Sequence, residues 1–312
     1  MLQVRGLRKS YGRLAVLRGL DLDVRPGEIC GLLGRNGAGK TTLVSIAAGL
    51  CAADGGSVRI DGLDAFRDMR RIRSRIGVAP QDLGIYPTLS VRANLECFGG
   101  LNGVRGSALR RTIAEVAEAL SLHDLLSRRA GTLSGGQKRR LHTALALLHG
   151  AKLLFLDEPT VGADVVSRGE LLAAVKRLAN DGCAVVYATH HLAEVEDMGA
   201  SVAILEGGVI QERGDLAVVV ARHGRSTAEL EFAGEAPVLA GWEHDGACIR
   251  RAAPDPARAA AAAIAALDGD ATRLRNVRIV PANLERAYLA VTGHASEPIG
   301  SLPEMERVDA VA

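Results

Sequence analysis

A glycine-rich loop of nine residues narrows the fold of this chain more than any other stretch. It reads Gly34, Arg35, Asn36, Gly37, Ala38, Gly39, Lys40, Thr41, Thr42. A short apolar run, Ile29 to Leu33, leads into it, and a helical pattern, Lys40 to Gly49, leads out. Strand, glycine loop and helix in that order make a complete phosphate-binding loop. Its glycines let successive backbone N–H groups converge on phosphate oxygens without side-chain clashes. The helix that starts at Lys40 points its positive end at the same charge. Lys40 is placed to reach the β- and γ-phosphates, and the Thr41 hydroxyl to meet Mg²⁺.

A second apolar run, Leu153 to Leu156, ends in Asp157, Glu158, Pro159 and Thr160. It brings two carboxylates to the carboxyl edge of a sheet, where open α/β sheets bind ligands. Asp157 is placed to hold Mg²⁺, and Glu158 to polarise an attacking water. Ala184 to Ala188 and Val202 to Leu205 are further apolar runs, separated by helical patterns such as Glu170 to Ala179. Continuous apolar strands alternating with helices predict a parallel sheet covered on both faces. Met1 to Leu33 adds strands with alternating character, and Leu109 to Leu126 predicts a helix.

Between the two halves lies Leu133, Ser134, Gly135, Gly136, Gln137, Lys138, Arg139, Arg140. With this signature the chain resembles the ATP-binding cassette (ABC) family over residues 1 to about 215. The resemblance implies an antiparallel β subdomain, a RecA-like parallel-sheet core and a helical signature subdomain. It implies an ATPase using ATP and Mg²⁺. Tyr11 then looks like the aromatic that stacks on adenine, and Gln81 like the loop glutamine that senses Mg²⁺ and the γ-phosphate. Asp164 looks like the aspartate of the loop beyond the carboxylates, although Ala163 stands where the family usually has leucine. His190 looks like the switch histidine. His191 competes for that role, and register after Thr189 favours His190. Two family cassettes face each other head to tail, so Ser134, Gly135, Gly136 and Gln137 would cover ATP held by a partner's loop. One phosphate loop and one signature in the chain then imply a homodimer.

Composition bounds the rest. A formal net charge of +2 does not suggest a nucleic-acid binder. The densely basic Arg67 to Arg75 reads as a solvated face. No apolar run approaches the ~18 residues of a membrane span. The opening residues lack the apolar core of a secretory signal. These features lead to an expected place on the cytoplasmic face of the cell membrane, held there by a separate transmembrane permease. Five scattered cysteines lack metal or disulfide spacing and read as small core residues. The segment Ile85 to Leu95 resembles the part of exporter cassettes that meets the membrane partner.

Near residue 220 the composition shifts, with no lysine after Lys176 and more alanine and proline. We expect a cassette over 1–218, a small α+β unit over 219–293 that is dispensable for ATP binding but not for assembly or regulation, and a loose tail over 294–312. The α+β unit reads as strand Thr227–Phe232, strand Ala247–Arg251, helix Pro256–Leu267, strand Arg273–Val280 and helix Asn283–Val291. The run Asn283 to Gly293 is similar to the closing segment of bacterial type-2 exporter ATPases of the daunorubicin-resistance and nodulation-factor kind. The competing expectation is a soluble ABC ATPase acting on ribosomes or DNA. Such members usually carry a second cassette or long coiled coils, and this chain shows neither.

Overall fold

A computed structural model describes residues 1–293, so the tail expected over 294–312 lies outside the described residues. Alternating apolar residues build the first layer. Leu2, Val4 and Leu7 pair with Val24, Leu22 and Leu20 across antiparallel strands Leu2–Tyr11 and Leu14–Val24. All six side chains are buried. Gly55–Ile60 and Leu63–Asp64 extend this sheet to four strands. The register slips between Val4 and Leu7, where Gly6 adopts a left-handed φ of 55°. Such a bulge sharpens the local twist.

The second layer is a six-stranded sheet in the order Val209–Gly214, Ser201–Glu206, Ile29–Leu33, Ala184–Thr189, Leu153–Asp157, Ile76–Ala79. Only Val209–Gly214 at one edge runs antiparallel. The middle strands are buried along their whole length, which is why they lack alternation. The register sets Leu33 beside Thr189 and Asp157 beside Ala188. The residues that follow these strands therefore emerge together at one carboxyl edge.

Helices Val91–Leu101, Gly106–Ala119 and Gly135–Leu147 form a helical region beside that edge. The helix expected over Leu109–Leu126 stops at Ala119. Ser121 takes a left-handed φ of 51°, and the chain turns so that both Leu120 and Leu122 become fully buried. The Arg140 guanidinium donates to the carbonyls of Leu120 and Ser121, satisfying groups that the helix end leaves open.

The third layer is a four-stranded antiparallel sheet in the order Glu243–Asp245, Cys248–Ala252, Thr227–Phe232, Leu274–Val280. Helix Pro256–Ala265 covers one face, with proline in its first turn and the Asp255 side chain capping its start. Ala228, Leu230, Phe232, Ile249, Ala260 and Ala263 make a small core of their own. The last helix, Leu284–Thr292, does not join that core. Leu284, Ala287 and Tyr288 sink into the main body with Val219 and Val195, and the Leu284 N–H donates to Glu196 at 2.8 Å. The packing thus departs from the compositional boundary, because this helix carries its own apolar face.

Cys30 and Cys183 are buried, and burial pushes their thiols up to about 11. Cys97 is exposed on its helix rather than in a core. No helix among the described residues is long and apolar enough to cross a membrane.

Candidate nucleotide site

The glycine loop curls over the end of strand Ile29–Leu33. Gly37 and Gly39 hold φ values of 84° and 111°, which a side chain rarely adopts. A Cβ on Gly39 would also stand 2.8 Å from the Leu17 side chain. Helix Lys40–Ala47 begins at once. The Lys40 ammonium bends back, donating to the Gly34 carbonyl at 2.7 Å and lying 3.7 Å from Glu158 Oε1. Burial pushes this amine below its ordinary value, while Glu158 and Asp157 oppose that shift. The Thr41 hydroxyl donates to Asp157 Oδ2 at 2.6 Å, joining the loop to the carboxylate strand. Burial pushes the Asp157 carboxyl above its ordinary value, partly offset by that bond.

Glu158 holds a left-handed φ of 49° although it is neither glycine nor free of a following proline. Such strain costs of order 1–3 kcal/mol and persists where the surroundings dictate it. Its N–H donates to the Ala188 carbonyl at 2.9 Å, which fixes it to the next strand. Its Oε1 bonds His190 Nδ1 at 2.8 Å, and its Oε2 is buried with no partner among the described residues. An orphaned buried carboxylate oxygen is costly unless a ligand or water completes it. That oxygen, with Thr41 and Asp157 nearby, fits a hard cation and a water bound with a nucleotide.

The other expected residues make their hydrogen bonds away from this centre. Tyr11 is 51% exposed beside the loop, its hydroxyl 3.5 Å from Cys51 Sγ and its ring 5.3 Å from Lys9 Nζ. Gln81 is exposed after strand Ile76–Ala79, and its carbonyl accepts from the Arg139 guanidinium. The structure does not join its side chain to Asp157; no hydrogen bond engages that side chain among the described residues. Ser134 caps helix Gly135–Leu147. Its hydroxyl accepts from the Gln137 N–H at 3.3 Å, and the Gln137 side chain returns to the Ser134 N–H at 3.1 Å. This reciprocal pair is a capping box. Ser134 and Gly135 face outward, whereas Gly136 is pressed so close to Ser167 that a Cβ would overlap it. Asp164 caps helix Val165–Asn180 through the Ser167 N–H and hydroxyl, at 2.9 and 2.8 Å.

Two residues that brace the site, Arg139 and Glu194, carry no role of their own in the sequence reading. Arg139 also donates to the Val161 carbonyl at 3.1 Å, so one guanidinium ties the Gln81 loop to the segment before Asp164. Glu194 is 2% exposed and accepts from the hydroxyls of Thr160 at 2.6 Å, Tyr187 at 2.9 Å and Thr189 at 3.3 Å. It thereby sets the loops that carry Glu158 and His190. Its one local signal is an acidic residue four positions after His190, on a helix.

Fold and site together define a P-loop ATPase whose signature helix is inserted between its phosphate loop and its carboxylates. The family described as ABC transporter matches residues 17–161. The linearmycin resistance ATP-binding protein LnrL of Bacillus subtilis (strain 168) is 35% identical over 227 residues, 73% of either chain. The doxorubicin resistance ATP-binding protein DrrA of Mycobacterium tuberculosis is 33% identical over 96% of each. A dimeric structure of a bacterial ABC transporter cassette superposes with a TM-score of 0.62. It is 25% identical and covers 69% of this chain and 98% of that one. The chain belongs to the ABC transporter family, and it is an ABC-type ATPase that binds ATP.

Proposed function

We propose that this chain powers a membrane exporter of drug, lipid or polysaccharide cargo, as a homodimer bound to a separate transmembrane permease on the cytoplasmic face. The observation that carries the reading is Glu158, strained into place between Lys40 and His190 with one carboxylate oxygen uncommitted.

The phosphate loop Gly34–Thr42 holds the triphosphate, and Tyr11 stacks on the base. Thr41, Asp157 and Gln81 would hold a magnesium ion, which would supply neutralisation of charge on the transferring phosphoryl group. Lys40 exchanges its bond to Gly34 for the β- and γ-phosphates. Glu158 accepts a proton from the water through Oε2, a general-base role worth roughly 10²–10⁴ in rate. His190 steadies the carboxylate through Oε1 and senses the γ-phosphate. Ser134 to Gln137 and Asp164 serve the partner's ATP. Outward-facing Ser134 and Gly135 support that, as do Val165 and Val166 beside Asp164, which are 80% and 72% exposed. Large exposed apolar groups at such a point fit an interface.

The permease contact falls on the loop after Gln81. Buried Asn94 holds both backbone groups of Tyr86, at 2.7 and 3.0 Å. This clamp presents Leu83, Tyr86 and Leu89 as exposed apolar side chains. The full-length match to a doxorubicin-resistance relative supports the exporter branch.

Glu158→Gln tests the mechanism. It should retain ATP binding, cut hydrolysis at least 100-fold on the scale of lost base catalysis, and trap an ATP-bound dimer in sizing chromatography. Normal turnover in a monomer would end the reading.

A further inference from the structure

We propose that Glu158, His190 and His191 form a binding site for a divalent transition metal such as zinc, separate from the magnesium site at Thr41 and Asp157, whose filling stops hydrolysis. The three side chains can each bring a ligand atom within 4.8 Å of the others. The His190 and His191 rings lie 4.0 Å apart between centroids, tilted by 38°. No hydrogen bond engages the His191 ring among the described residues. Its backbone is held by Thr189, whose hydroxyl accepts the His191 N–H at 2.9 Å. Both rings can therefore offer a nitrogen to the buried Glu158 carboxylate, which His190 Nδ1 meets at Oε1 and whose Oε2 has no partner among the described residues.

Donor chemistry separates the two sites. Two imidazoles and a carboxylate suit zinc, with a fourth position left for water. Magnesium prefers an all-oxygen shell, which Thr41 and Asp157 supply. Zinc takes the place of the proton that links His190 Nδ1 to Glu158 Oε1, and a metal site of this kind binds as its ligands lose protons. The Lys40 ammonium, 3.7 Å from Oε1, opposes the ion, so the site is weaker than a closed four-ligand one. With its carboxylate engaged, Glu158 no longer accepts a proton from water. The inhibitory half rests on the role given to Glu158 above; the binding half does not.

The test titrates zinc into the tag-free, nucleotide-free full chain and its His191→Ala variant by calorimetry, with magnesium in excess. Comparing the two chains cancels binding at the exposed thiol of Cys97. Loss of one ligand should weaken zinc binding at least tenfold. The variant's basal ATPase rate should match the parent's, and its half-inhibiting zinc concentration should rise at least tenfold. Equal zinc affinity in the two chains, or displacement of zinc by magnesium, would overturn the site. His191-dependent binding without inhibition would overturn the switch and leave the Glu158→Gln result to judge the base on its own.

Discussion

His142 shows how one side chain writes a pH dependence into this ATPase. It is buried on helix Gly135–Leu147, and a Cβ at Gly84 would sit 3.5 Å from its ring. Burial, with the nearby Arg139 charge, pushes its pKa down to about 4. The folded protein therefore keeps it neutral, while the unfolded chain takes up a proton near its ordinary value of 6.5. The unfolded state binds more protons below that value, so stability is full above it and falls as pH drops toward about 4. The loss reaches roughly 2 kcal/mol by about pH 5 and up to about 3 kcal/mol below. Urea unfolding near pH 7 and pH 5 should show this loss in the parent and only its remainder in His142→Gln. Equal losses in both would refute the assignment. The meeting of Lys40, Asp157, Glu158 and His190 at one sheet edge is legible in the sequence because each stands at or just beyond the end of an apolar strand. Arg139 and Glu194 were not, since their partners are backbone carbonyls and hydroxyls that meet only in the folded chain.

Among the elements, the start of the signature helix carries two duties at once. Ser134 closes a capping box for its own helix and leaves an exposed face that, in the proposed dimer, would meet the partner. Ser134→Ala should cost about 1 kcal/mol of stability through the lost cap. ATP affinity of the isolated chain should stay unchanged, because the phosphate loop is untouched. In a Glu158→Gln background the same change should weaken the trapped dimer seen by sizing chromatography; an undiminished dimer would remove Ser134 from the interface. Apolar strands were legible to within a residue or two, since their limits coincide with the limits of burial. The sequence pattern overstates helix Gly106–Ala119, because the apolar spacing continues through Leu120 and Leu122 where the backbone turns at Ser121. Strand Glu243–Asp245 left no apolar signal at all, being exposed throughout.

Across the whole molecule, alternating strands and helices were enough to read the parallel core, and the composition shift to read an added sheet. The return of the last helix was not legible, because its groove is built from Val195 and Val219, nearly 90 and 65 residues earlier. We expect a chain cut after Asn283 to lose several kcal/mol, because the burial of Leu284 and Tyr288 goes at roughly 1.5–3 kcal/mol per large side chain and the groove at Val195 and Val219 opens to water. Thermal unfolding should drop by about 10 °C on the scale of roughly 2–4 °C per kcal/mol. An unchanged transition would place that helix with the small sheet after all.

That returning helix also sets an order of events during synthesis. The groove it fills is finished once helix Leu216–His223 has been made, yet Leu284 comes some sixty residues later. At roughly 5–20 residues per second on the ribosome, the wait lasts several seconds. Throughout it the catalytic body stands with an apolar slot open to water, and the small sheet is being made in the meantime. The nascent chain is most vulnerable to aggregation in that interval, and a chaperone acting on it would find its target around Val219 rather than at the nucleotide loop.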